Sequence, residues 1–258
     1  MKKYELTTNT KMRFGEKLFQ IKALISFGDV TAGDLGGYIE KEENLSHDGT
    51  AWVYGNARVY GDARVSGNAR VYGTALVYGN AWVYGDARVY GDARVYGDAR
   101  VYGNARVSGD AWVSGDAWVY GNARVYGDAW VYGNAWVSGD AWVYGNALVS
   151  GDAWVYGNAR VYGNARVSGD AWVSGDARVY GNADYICFKG FGSENRNTTM
   201  FRTKNGDVYV CCGCFKGSLK EFSEKVKETH GSSKYAKEYL ACVEVAKIHF
   251  EIGEENDK

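Results

Sequence analysis

From Val53 to Asp184 the chain repeats one six-residue unit without insertion: Val, Tyr or Ser, Gly, Asn or Asp, Ala, and one variable residue. Those 132 residues hold 22 units, from Val53-Tyr54-Gly55-Asn56-Ala57-Arg58 to Val179-Tyr180-Gly181-Asn182-Ala183-Asp184. A period this short and strict makes each unit one structural step that packs on its neighbours. The repeat therefore predicts a solenoid with flanking segments, and it constrains fold far more than function.

Within a unit, Ala-x-Val-Tyr is a short alternating segment, and successive side chains of a strand point to opposite faces. Val and Ala face one way, and the variable residue and Tyr or Ser face the other. Val and Ala are the invariant apolar pair, so they are the expected core, each buried Val contributing roughly 1.5–3 kcal/mol. Gly followed by Asn or Asp turns the corner, since these residues tolerate positive φ. Thr74 breaks the Asn/Asp rule. A β-branched residue suits a left-handed position poorly, so a local flaw is expected there.

The unit closely resembles the hexapeptide-repeat family: aliphatic residue, small or acidic residue, two free positions, small residue, free position. Val53, Gly55-Asn56, Ala57 and Arg58 fit, and the Tyr or Ser at the second position departs from the pattern. The resemblance implies a mainly β fold, a three-sided left-handed parallel β-helix with three units per turn. The left-handed coil comes only from the resemblance, because crossovers between parallel strands are ordinarily right-handed. At about 4.8 Å per turn the prism is roughly 35 Å long. The stretch Ile21-Lys22-Ala23-Leu24, Phe27-Gly28-Asp29-Val30 and Ala32 to Tyr38 is similar to the front end of uncharacterised bacterial and prophage hexapeptide-repeat proteins, often labelled transferases. That label rests on fold, and fold does not imply function.

Sorting the variable residue at period 18 gives three rows. One carries Arg64, Trp82, Arg100 and then Trp118, Trp136, Trp154 and Trp172; a second carries Arg70, Arg88, Arg106 and Arg124, then Trp142, Arg160 and Arg178. The third mixes Arg58, Leu76, Arg94, Trp112, Trp130, Leu148, Arg166 and Asp184. The six-residue period does not force this segregation, so it supports three-sided closure. Stacked aromatic and Arg side chains first suggest self-stabilising ladders. Beyond that, the Trp118–Trp172 strip is the expected interface, for a protein partner or for subunits, a trimer being the assembly that the transferase resemblance implies. The Arg70–Arg124 row is the expected grip on an anionic partner, a stacking platform with basic groups. Its expected aromatic neighbours are Tyr84, Tyr102, Tyr120 and Tyr156, while Tyr60, Tyr78, Tyr96 and Tyr132 are expected beside the Trp row.

Charge is balanced over the chain, 30 basic against 31 acidic residues, and residues 53–184 hold 11 Arg and 12 Asp. General nucleic-acid binding is therefore not expected. Met1-Lys2-Lys3 is followed by no apolar stretch of signal length, and no run of apolar residues is long enough for a spanning helix. A cytoplasmic protein, of a bacterium or a phage-infected host, is expected. Transferases of the resembled family generally use a His as base, and His47, His230 and His249 all lie outside the 22 units. An enzyme is therefore disfavoured, with His47 the one residue placed to reverse that reading.

Residues 1–50 are expected to cap the solenoid, residues 51–184 to form it, and residues 185–258 to fold as a β-β-β-α-α module. Three strands are predicted at Tyr185–Phe188, Thr198–Arg202 and Val208–Cys212, with Asn205-Gly206-Asp207 as a hairpin turn. Ser218 and Glu221 form a capping box for a helix ending near His230-Gly231, and a second helix runs from about Ser233 to Ile252. Cys211, Cys212 and Cys214 lack the paired spacing of a zinc site, so buried reduced thiols are expected and no metal or cofactor. A Cys214–His230 nucleophile pair is the sharper alternative. Together these features point to a non-catalytic repeat scaffold that binds a macromolecular partner, with the C-terminal module docking a partner as well. Its phage-like resemblance suggests host takeover or inhibition of a host defence. The alternatives are a trimeric acyl- or nucleotidyltransferase and a self-assembling structural protein.

Overall fold

A computed structural model describes residues 1–252. Each unit supplies a two-residue strand made of the variable residue and Val, as in Arg94–Val95. Each such strand up to Arg160–Val161 pairs in parallel with the strand 18 residues on: Arg94 lies beside Trp112, and Val95 beside Val113. The strands sort into a ten-stranded, an eight-stranded and a seven-stranded sheet, which are the three sides of a parallel solenoid of about eight turns. The chain is mainly β, with N-terminal strands at one end and a small α+β module at the other.

The alternation places the core as the sequence implies. Val and Ala of the repeat are 0–1% exposed from Val53 to Val179, and Ala183 of the last unit is exposed. Backbone bonds tie turn to turn, for example Arg94 N–H to Ala111 O at 2.9 Å and Tyr96 N–H to Val113 O at 3.0 Å. Corner glycines from Gly55 to Gly175 have φ between 56° and 72°. The Asn, Asp or Thr that follows is not left-handed, since the positive-φ non-glycine residues are Phe14, Asn195 and Glu251. That removes the flaw expected at Thr74. Glycine alone takes the conformation that penalises a Cβ, and the Thr74 hydroxyl donates to Gly91 O at 3.1 Å and lies within bonding reach of the Asp92 carboxylate.

The solenoid begins earlier than the strict repeat. Strand β3 (Leu35–Ile39) pairs in parallel with the first repeat strand of its face, Tyr38 beside Arg58 and Ile39 beside Val59. Leu45 bridges to Val65, and Val53 pairs with Val71. Ile39, Leu45 and Val53 thus form a starting turn in which the six-residue step is kept once and then stretched. Strands β1 (Tyr4–Arg13) and β2 (Glu16–Ala23) are antiparallel and extend the same ten-stranded sheet. Asn44, fully buried, donates to Gly61 O and Ala63 O, both at 2.9 Å. Side-chain amides here satisfy backbone acceptors at an open end.

Lys3 does the same at another corner of that end. Its ammonium donates to Ala51 O at 2.9 Å and Gly49 O at 3.4 Å, and the residue is 1% exposed. Burial pushes its pKa down to about 8, with Asp48 opposing the shift. The folded chain therefore releases this proton before the unfolded chain, whose lysine titrates near 10.4. Between about pH 8 and 10 the unfolded state binds more protons, so stability rises with pH, by on the order of 2 kcal/mol. Denaturant midpoints at pH 8, 9 and 10 are expected to rise in the wild type relative to Lys3→Met, a comparison that cancels groups acting in the opposite direction, such as the buried Cys242 thiol and Tyr54 phenol. A wild-type-minus-variant difference that does not grow with pH contradicts the assignment.

At the far end, the strand Arg196–Arg202 lies across the last turn. Trp172 N–H donates to Thr199 Oγ1 at 3.0 Å, and Ala177 bridges to Thr203. The C-terminal sheet has four antiparallel strands, ordered Tyr185–Phe191, Arg196–Arg202, Val208–Cys212, Phe215–Ser218. Sequence reading finds three of them. Phe215–Ser218 escapes it because its Gly217 and Lys216 carry no strand pattern, and cross-strand pairing of Cys212 with Phe215 makes it a strand. Helix α1 (Leu219–His230) starts on the Ser218–Glu221 capping box, and α2 (Lys234–His249) stops three residues short of the expected end.

The sheet's two faces do different jobs. Phe201 and Cys211 are buried in the solenoid core, with Tyr185, Cys187 and Tyr209 packed against it. Met200, Val210 and Cys212 point the other way, into a second core with Phe222, Tyr239, Cys242 and Val243 of the helices. One face is thus spent closing the solenoid, and only the rest of the module is free for anything else.

Candidate partner-binding faces

Arg70, Arg88, Arg106 and Arg124 lie side by side in the eight-stranded sheet, followed by Trp142, Arg160 and Arg178. Arg70 is tied to the N-terminal segment, its Nη1 2.9 Å from Asp29 Oδ2. Partial burial opposes ionisation of Asp29, but the Tyr54 hydroxyl, its own backbone and the nearby Arg70 outweigh it and hold the carboxyl below its usual range. Arg124 and Arg160 sandwich the Trp142 ring, their guanidinium carbons 4.8 and 4.6 Å from its centroid. Arg88, Arg106 and Arg124 are exposed, and among the described residues none has a carboxylate within ion-pair distance.

Trp118, Trp136, Trp154 and Trp172 are consecutive rungs of the seven-stranded sheet. Their rings stack with centroids 5.0, 4.7 and 5.2 Å apart and planes within 11° of parallel. Arg100 completes the row, its guanidinium between the rings of Trp82 and Trp118 at 5.6 and 5.0 Å. Trp82 and Trp154 are the most open of these, at 43% and 36% exposure. Trp172 is half-buried against the core and bonded to Thr199, so the C-terminal module occupies the last rung.

The tyrosine columns go to other faces than the sequence reading gives them. Tyr84, Tyr102 and Tyr120 stack on one another and meet the Trp row edge-on: Tyr102 lies 6.2 Å from Trp118 and Tyr120 6.4 Å from Trp136. They belong to the Trp side. Tyr60, Tyr78 and Tyr96 form a ladder on the third side, where Tyr96 meets Trp112. The Arg row is accompanied by Tyr72 and Tyr90, and by Tyr126, Tyr144 and Tyr162. Burial, then the neighbouring rings of Tyr84 and Tyr120, raises the pKa of Tyr102.

This stacking changes what the aromatic rows can bind. Rings stacked along the coil axis spend their faces on each other and present edges to solvent. Base or sugar stacking needs free faces, so the stacking-platform reading does not hold. Edges with indole N–H groups suit hydrogen bonding and van der Waals contact with a protein surface.

The structure places the remaining candidates at the two ends of the coil. His47 stacks on Tyr4 at 4.4 Å, and its Nδ1 accepts from Lys3 N–H at 3.1 Å. Its Nε2 is 3.7 Å from a Glu42 oxygen. An open groove beside it is lined by Glu42, Glu43, Ser46, Arg64, Ser66 and Trp82. His230 packs near Tyr235 and Tyr239, and it forms no hydrogen bond with Cys214 among the described residues. All five cysteines are free thiols; Cys211, Cys212 and Cys242 are buried and Cys214 is exposed. Cys211 pairs with Ser174, and Cys212 accepts from Thr198. Burial pushes the Cys242 thiol up to about 11, helped by Cys212 and Glu238. Among the described residues no cluster of metal-ligating side chains occurs, and no helix is long and apolar enough to cross a membrane.

No curated protein matches the chain. The family model of the YdcK beta solenoid repeat matches at residues 51–67, 63–79, 69–85, 87–101, 99–115, 117–133, 129–145, 141–157 and 159–175, all within the six-residue repeat, so this part of the chain is similar to a beta solenoid repeat.

Proposed function

We propose that the protein is a non-catalytic repeat scaffold, a left-handed hexapeptide coil, that binds a protein partner along its long faces. The observation that carries this reading is the exposed edge of the Trp118–Trp136–Trp154 ladder. Rings that stabilise only their own stack could be Tyr or Leu equally well, whereas a row of Trp is the composition of an interface core. The prophage-like leader supports a partner in the host cell, in takeover of the host or in blocking a defence. The Arg row is a second surface, suited to acidic groups.

Affinity capture from host lysate with the wild type and with the triple variant Trp118→Ser, Trp136→Ser, Trp154→Ser tests it. A protein captured by the wild type and bound at least about thirtyfold more weakly by the variant is expected, the loss of one hot-spot residue of about 2 kcal/mol or more. An identical set of captured proteins sinks the reading. A homotrimer on the same ladder would show instead as a lower native mass in the variant.

A further inference from the structure

The eight-stranded side carries two charge ladders of opposite sign. Along each turn the order is Arg88, Val89, Tyr90, Gly91, Asp92, and the next two turns repeat it as Arg106 to Asp110 and Arg124 to Asp128. Register pairing holds Arg88, Arg106 and Arg124 in one row. The corner that follows stacks Asp92, Asp110 and Asp128 in another, and all six side chains are exposed. Between the rows run Tyr90, Ser108 and Tyr126, each half-buried.

Elsewhere in the corner columns carboxylates stack at most two deep, as Asp98 with Asp116 and Asp152 with Asp170. Asn68 donates to Asp86, Asn80 to Asp98, Asn122 to Asp140, Asn134 to Asp152 and Asn158 to Asp176, each amide relieving the carboxylate one turn on. Asp92 has the Thr74 hydroxyl beneath it, but no amide separates Asp92, Asp110 and Asp128 from one another. Like charges one strand spacing apart repel, and the Arg row repels in the same way. The monomer thus holds two unrelieved ladders of equal length at the same heights.

We propose that this side binds a second copy of the chain through reciprocal Arg–Asp ladders. The proposal rests on reading the Arg row as a binding surface, and it names the acidic partner. Rotation by half a turn about an axis parallel to the coil leaves every turn at its own height and exchanges left with right. Arg88, Arg106 and Arg124 then face Asp92, Asp110 and Asp128 of the second copy, and the reverse, with the tyrosine strip between. A half-turn about the perpendicular axis in the same plane sets Arg against Arg, so the charge pattern selects the parallel arrangement. The N-terminal segment covers the first two rungs, Trp52 and Arg70, so six strands at about 4.8 Å leave a face about 24 Å tall. With a width of about 15 Å it buries about 700 Å² in total, the size of a weak, charge-dominated encounter.

The test uses the full chain in sedimentation velocity at about 50 mM and about 500 mM salt, where the screening length falls about threefold. A dimer at micromolar concentration is expected in low salt, with a dissociation constant at least about tenfold higher in high salt. The variants R88E/R106E/R124E and D92K/D110K/D128K are each expected to be folded monomers. Their equimolar mixture is expected to restore a dimer, because each mixed contact again pairs opposite signs. A wild type that stays monomeric in low salt overturns the proposal, as does a mixture of folded variants that stays monomeric. Neither result touches the scaffold reading, which stands or falls on capture through the Trp ladder.

Discussion

Replacing Gly97 with alanine lowers the unfolding free energy by about 2–4 kcal/mol, read from denaturant titration of the full chain. Gly97 sits at a corner with φ +68°, and a Cβ there meets the Gly115 nitrogen at 3.0 Å and its oxygen at 3.2 Å. The left-handed backbone alone costs an alanine about 1–2 kcal/mol. The contact adds to that, because its partner is backbone of the next turn and cannot rotate away. Gly175→Ala is the control: φ is +61° and nothing lies within 4 Å of its Cβ. It is expected to lose only the conformational part, about 1–2 kcal/mol. Equal losses at the two sites would mean that close approach between turns contributes nothing.

Replacing Phe201 with alanine costs about 3–5 kcal/mol and frees the C-terminal module from the solenoid. Phe201 is fully buried and belongs to the solenoid core although its own strand lies in the terminal sheet. Its removal leaves a void over the last turn that the short ladder of Val167, Val173 and Val179 cannot fill by shifting. Limited proteolysis distinguishes undocking from global unfolding. Undocking cuts first near the Asn182–Asp184 turn while the repeat stays protected. Uniform cleavage across the repeat would show that the module is needed for the whole coil, and wild-type resistance would show that the contact is dispensable.

The coil was legible because its two periods answer separate questions. Six residues give the strand and the corner; eighteen give the sides, since only three-sided closure puts Trp118 beside Trp136 and Arg88 beside Arg106. The tyrosine columns were not legible. A tyrosine two residues after Trp or Arg stands at a strand end, and its ring could go to either side of the corner. The rings of Tyr102 and Tyr120 go back over their own strand, toward the indole one turn on, and only three-dimensional packing settles that. The starting turn was hidden because Ile39 and Leu45 keep the step of six while Val53 follows after eight. Neighbouring residues of a strand face opposite sides, which sends Cys211 and Cys212 into different cores. What the two sides of that strand touch required the docked sheet.

The two ends of the molecule are built differently, and the coil between them advances one side per unit. Each unit therefore turns the C-terminal module by about a third of a revolution relative to the N-terminal strands, and only a change of three units restores the original heading. The unit count acts as a dial as well as a ruler. Loss of 18 residues would shorten the molecule and leave every face aligned. Loss of six would keep nearly the same length and swing the helices to another side, carrying the downstream Arg rungs onto the side where tryptophan stood.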